Sequence, residues 1–153
     1  MRGKTISILV TLATVTLLLT SAFGQGTARG RYYTKSQVDN IIKRVETNSD
    51  KLKDTVDKSL DRSILDGSNR EDNWNEQVKD LEKALDDLRD DFDRRDRWIE
   101  SRQKVAEVLR EADEVGRICS KPVFGSKVHK LWAKVRADLN TLAGVYNLPR
   151  IKY

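Results

Sequence analysis

Between residues 74 and 99, apolar side chains recur at Trp74, Val78, Leu81, Leu85, Leu88, Phe92 and, past Arg95, Ile99, with a spacing that alternates four and three without a slip. That period predicts a helix whose apolar seam must be covered along its whole length, as in coiled coils and bundles. These seven residues form the candidate interaction seam, open to self-association or to a helical protein partner. Upstream, Val38, Ile41, Ile42, Val45, Leu52, Val56, Leu60 and Ile64 trace a second stripe, interrupted by Asn48 and Ser49. It predicts a helix over 35–65. Thr34 and Gln37 have the spacing of a capping box, and Tyr33 is placed to staple onto Val38. Asp66-Gly67 ends this helix, glycine supplying the left-handed turn. Ser68 and Glu71 repeat the capping-box spacing, opening a helix over 69–100. So short a link forces an antiparallel hairpin, with arms of about 46 and 48 Å at 1.5 Å per residue.

Beyond Ile99 the stripe changes face. Val105, Val108, Leu109, Ala112, Val115 and Ile118 centre roughly 160° from the first seam at 100° per residue. Either the helix breaks near 100–104, the favoured reading, or a rod of about 50 residues meets partners on opposite sides. Lys121-Pro122 stops the third helix, and Phe124-Gly125-Ser126 turns the chain, with Ser126 as N-cap. The last helix carries Val128, Leu131, Trp132, Val135, Leu139, Leu142, Ala143 and Tyr146, and Asn147-Leu148-Pro149 ends it. The predicted fold is all-α: an extended antiparallel helical hairpin plus a shorter C-terminal hairpin, pooled into a four-helix arrangement over 34–147. A flexible leader (25–33) precedes it and a tail (148–153) follows.

The first 24 residues stand apart. Arg2 and Lys4 precede an apolar run over 6–19, and Ala22-Phe23-Gly24 offers small residues at its end, the layout of a cleaved secretory signal peptide. The run is shorter than the roughly 20 residues that span a bilayer. The expected location is therefore secreted or periplasmic. Without residues 1–24 the chain has 27 Lys and Arg against 24 Asp and Glu, a net +3. Cys119 is the only cysteine, so no internal disulfide forms and helix packing must supply the stability. A buried, inert thiol is favoured over an intermolecular disulfide.

Catalytic chemistry finds little footing. His129 is the only histidine and stands among Lys127, Lys130 and Lys134; it reads as a surface residue rather than a base. The acids Asp86, Asp87, Asp90, Asp91, Asp93 and Asp96 lack calcium-loop spacing, and Asp90, Asp91 and Asp93 each have an arginine four residues on, as on a self-paired solvated face. Trp74, Trp132 and Tyr146 read as core aromatics, whereas Trp98, beside Ile99, either caps the junction or meets a partner. No cofactor, metal, nucleic-acid partner or enzymatic activity is expected.

Charge is more informative. Residues 69–100 hold seven basic and twelve acidic residues, and residues 117–153 eight basic and one acidic. Either the basic last helix docks on the acidic central one, within the chain or across a homodimer, or Lys127, Lys130 and Lys134 contact an anionic envelope polymer or membrane.

One resemblance adds to this reading. The run Trp132-x-x-Val135-Arg136-x-Asp138-Leu139-Asn140-x-Leu142-Ala143-x-x-Tyr146, with Tyr32-Tyr33, the segment 42–48 and Leu60-Asp61-Arg62-Ser63 followed by Asp66-Gly67, resembles a group of uncharacterised small secreted helical proteins of acidobacterial type. Val135 stands where the usual form has Leu. The resemblance implies a small exported helical protein and carries over no functional residues.

Export should cleave the chain between Ala22 and Gly26, where small residues meet the end of the apolar run. Intact mass of the secreted protein checks this; a mature form still beginning at Met1 would instead indicate a membrane anchor.

Overall fold

In the computed structural model, which describes residues 27–28 and 31–153, order begins with a two-residue antiparallel ladder. Strand β1, Thr27–Ala28, pairs with β2, Arg31–Tyr32. The signal peptide expected over 1–24 lies outside the described residues. Helix α1, Lys35–Leu60, begins with a complete capping box: the Thr34 hydroxyl accepts the Gln37 N–H, and the Gln37 side chain accepts the Thr34 N–H. It ends five residues before the expected boundary. Ser63, Asp66 and Ser68 donate their N–H groups to the carbonyls of Leu60, Ser63 and Leu65, so the connection is a run of tight turns. Ile64, counted above into the apolar stripe, stands in these turns at 99% exposure. Gly67 adopts the expected left-handed conformation, φ +70°, but closes the connection rather than the helix.

Helix α2, Asn69–Arg94, is capped by Ser68, whose hydroxyl accepts the Glu71 N–H at 3.3 Å. The Glu71 carboxylate departs from the expected box and takes the Gly67 N–H at 2.6 Å, satisfying a donor one residue further out. The helix then breaks, as favoured above, but at 95–97 rather than 100–104. Arg95 and Arg97 are extended, a 3₁₀ turn spans Trp98–Ser101, and α3 runs over Arg102–Cys119. Trp98 explains the position. On a continued α2 it would sit about 120° from the seam centre, facing solvent. Breaking the helix brings it to 5% exposure. Neither glycine nor proline is needed, because the bend uses ordinary negative φ values.

Helix α4, Ser126–Val145, has Gly125 at its N-cap with no side-chain cap, so Ser126 is its first residue and not the cap. Its end is a Schellman motif: Asn147 takes φ +52°, and the N–H groups of Asn147 and Leu148 reach the carbonyls of Gly144 and Ala143.

The helices run up, down, up, down, and each touches both neighbours. Helix α1 packs chiefly on α4, and α2 chiefly on α3, with lesser α1–α2 and α3–α4 interfaces; α2 and α4 lie diagonally opposed. Covering of the α2 seam is thus shared, with α3 contributing more than the expected partner α1. One apolar core runs through all four helices, from Val38, Ile42 and Val45 through Leu81, Leu88 and Phe92 to Val105, Val108, Val135 and Leu139.

Leu85, at 2% exposure, lies midway along α2 in this core. Leu85→Asp should destabilise the fold by several kcal/mol, from lost apolar burial of about 2 kcal/mol and the cost of a buried carboxylate. Thermal melting followed by circular dichroism measures it; an unchanged melt would mean that this seam is not core.

Candidate functional site

The candidate seam belongs to the chain's own core. Val78, Leu81, Leu85, Leu88 and Phe92 are buried, and Trp74 and Ile99 are half-buried against them. Ile99 is not on α2 but in the 3₁₀ turn. A partner reaches these side chains only if the bundle opens.

Helix α4 has a different balance. Val128, Trp132, Val135, Leu139 and Leu142 are buried, while Lys127, Lys130 and Lys134 project from the opposite side, all exposed. None of the three forms an ion pair among the described residues. The only acid of α4, Asp138, is turned toward α1, where Arg44 reaches it at 3.1 Å and Asn48 at 3.0 Å. The lysines therefore keep their charge uncompensated. The five basic residues of 121–137, with no acid among them, make one unbroken positive surface from the α3–α4 turn onto the helix.

The acidic helix does not neutralise it. Asp86, Asp87 and Asp90 are exposed on α2, across the bundle from α4. Docking of the basic helix on the acidic one within the chain is thereby corrected: apolar faces set which helices meet, and these two end up diagonal. Asp91 also leaves the solvated face on which the sequence placed it. It is buried, and although burial opposes its ionisation, hydrogen bonding to Ser101 and Arg95 holds its carboxyl below the usual range. Helix α2 instead spends charge on its neighbours. Arg89 grips Glu46 of α1 with two hydrogen bonds of 2.9 Å and Asp39 with a third of 2.6 Å. Lys53 bonds Glu82, and Lys104 of α3 lies 3.7 Å from Asp87. The Lys43 hydrogen bond, outweighing burial, and Arg89 beside it lower the Asp39 pKa. Its contribution to stability is therefore present above the unfolded carboxyl range and is lost as pH falls below it.

The tail over 148–153 was read only as a terminus, yet it returns along the bundle. Ile151 is buried, its N–H bonded to the Asn140 side chain at 3.0 Å. The Lys152 N–H reaches Asp113 at 3.2 Å, and the Arg117 guanidinium lies 5.2 Å from the centre of the Tyr153 ring. Gly116 makes this seat: a Cβ there would come within 2.7 Å of Trp132 and 2.9 Å of the Tyr153 backbone. A glycine on the buried side of α3 is the one trace of this in the sequence.

Other groups are quickly placed. His129 is exposed. Cys119 is buried, and burial pushes its thiol pKa up to about 12, which keeps it protonated and inert. Carboxylate oxygens of Asp61, Asp66 and Glu71, on the α1–α2 connection, come within 4.8 Å of one another; residues this scattered show no motif in the sequence. At the same end Trp74 packs on Phe124 with 5.8 Å between ring centres. Beside this pair an open, largely apolar depression of about 460 Å³ is lined by Ile64, Leu65, Trp74, Pro122 and Val123, with Arg70 and Lys121 on its rim. Among the described residues no helix is long and apolar enough to cross a membrane.

Compared with protein-family models, with curated proteins and with solved structures, the chain shows no significant match.

Gly116→Ala should unseat the tail. Overpacking costs about 1–3 kcal/mol, and better helix propensity returns up to about 1 kcal/mol, so a net loss of about 1–2 kcal/mol is expected, with faster hydrogen exchange at the Ile151 and Lys152 amides. Unchanged protection of those amides would show that the tail is not held at Gly116.

Proposed function

We propose that the protein is an exported, non-enzymatic helical module that works by surface contact, its basic α4 face engaging an anionic polymer or membrane surface of the envelope. The observation that carries this reading is the outward row Lys127, Lys130 and Lys134, exposed and without ion-pair partners among the described residues. Burial of the seam within the bundle favours this over contact through exposed apolar helix faces. Lys and Arg on one face, with no acid between them, attract a polyanion at a range set by the Debye length, about 8 Å at physiological salt.

A second reading is self-association, favoured by the diagonal placement of α2 and α4. An acidic outer face on one side and a basic one on the other are complementary between copies packed head to tail.

Replacing Lys127, Lys130 and Lys134 together with glutamate tests both. Exposed substitutions away from packing cost little, about 0.5 kcal/mol or less each, so the melting temperature should barely move. Cosedimentation with anionic envelope fragments should be lost, and binding by the unaltered protein should fade with salt. If the change instead dissociates a salt-sensitive dimer that binds no envelope material, head-to-tail association is the function of this face. If neither binding nor association changes, the lysines are only a solvated surface.

A further inference from the structure

The apolar end of the bundle and the start of α4 point to the same partner. We infer that the protein docks on anionic lipid bilayers end-on and tilted, with Ile64, Leu65, Trp74 and Val123 entering the interfacial layer while Lys121, Lys127 and Lys130 meet the headgroups. This rests on the anionic-surface reading above and names the surface as lipid.

Two connections meet at this end, 61–68 between α1 and α2 and 120–125 between α3 and α4. Phe124 packs on Trp74, five residues inside α2, so the longer hairpin overhangs the shorter one. On the overhang Ile64 is 99% exposed, and with half-buried Leu65, Trp74 and Val123 and exposed Pro122 it lines one continuous depression. Single exposed aliphatics are common on proteins; a contiguous set at a bundle's tip, with a tryptophan among them, suits the boundary between headgroups and acyl chains.

Charge argues for lipid of negative sign. Lys121 stands on the rim of the depression, and α4 departs from this end with Lys127 in its first turn and Lys130 one turn on. The α1–α2 connection is less favourable, since Arg62 and Arg70 are accompanied by Asp61, Asp66, Glu71 and Asp72. Glu71 is folded back on the Gly67 N–H and buried. The tilt follows: the bundle must lean toward the α3–α4 turn and the outward face of α4. Neither signal is strong alone, and peripheral attachment that combines a shallow apolar insertion with a basic patch requires both.

Tryptophan fluorescence tests this directly, because Trp98 and Trp132 are buried and Trp74 is the partly exposed indole. The purified protein is mixed with phosphatidylglycerol–phosphatidylcholine vesicles, with or without brominated acyl chains, and with phosphatidylcholine vesicles alone. Binding to the anionic vesicles is expected, with bromine quenching that disappears in Trp74→Phe. Ile64→Asp, at a position that packs against nothing, should lower partitioning at least tenfold with an unchanged circular dichroism spectrum. Binding that persists in Ile64→Asp without quenching of Trp74 overturns the insertion and leaves a purely electrostatic α4 contact. Binding to soluble dextran sulfate but to no vesicle overturns the lipid assignment while the basic-face reading stands. Binding to neither overturns both.

Discussion

The fold depends on the burial of one indole. Trp98 donates its ring N–H to the Tyr33 carbonyl at 2.9 Å and meets the edge of the Tyr146 ring, and the Tyr146 hydroxyl donates back to the Trp98 carbonyl at 2.9 Å. Arg102 closes the group from the start of α3 by bonding the Tyr146 carbonyl. The entry to α1, the α2–α3 reversal and the exit of α4 are thereby tied at one point. A buried indole N–H or phenol without a partner is costly, so each of these bonds constrains the others. Burial, with Asp91 nearby, pushes the Tyr146 pKa up, which keeps its hydroxyl a donor. Lys35 adds a further tie, donating to the Arg95 carbonyl left open where α2 stops.

Much of this was legible in the residue pattern, and the failures share a physical cause. Periodicity reports which side of a helix avoids water, and on that basis the four stripes, both N-caps at Thr34 and Ser68 and the all-α class were readable. It does not report which neighbour supplies the cover, so the dominance of α1–α4 and α2–α3 packing came only with the structure. At chain reversals the period continues by accident: Ile64 and Ile99 fall in register with their stripes, yet one is solvated and the other lies past the end of its helix. The adjacent Trp98 shows why, because a large aromatic that must be buried overrides local helix preference. The tail is too short to show any period.

The lysine row of the candidate site could be read from spacing, but its freedom could not. That follows from topology, which turns Asp138 inward to α1 and sends the acids of α2 to the far side. Within the acidic stretch the structure divides the work, giving Glu82 and Asp87 to neighbouring helices and Asp91 to the α2–α3 bend, while Asp86 and Asp90 remain in solvent. A count of charges shows none of that division.

The meeting of the first and last helices bears on how the chain assembles. The ion pair between Arg44 and Asp138 closes a loop of 94 residues, whereas Lys104 and Asp87 close one of about 17. Loop-closure entropy grows only as the logarithm of length, so the longer loop costs about 1.5 kcal/mol more. That is within what one buried aliphatic side chain contributes. The cost is kinetic as well: contacts between α2 and α3 are available early, while those between α1 and α4 require both intervening reversals to be in place. Contact order, more than the number of apolar residues, therefore sets the slowest step in building this ring of helices.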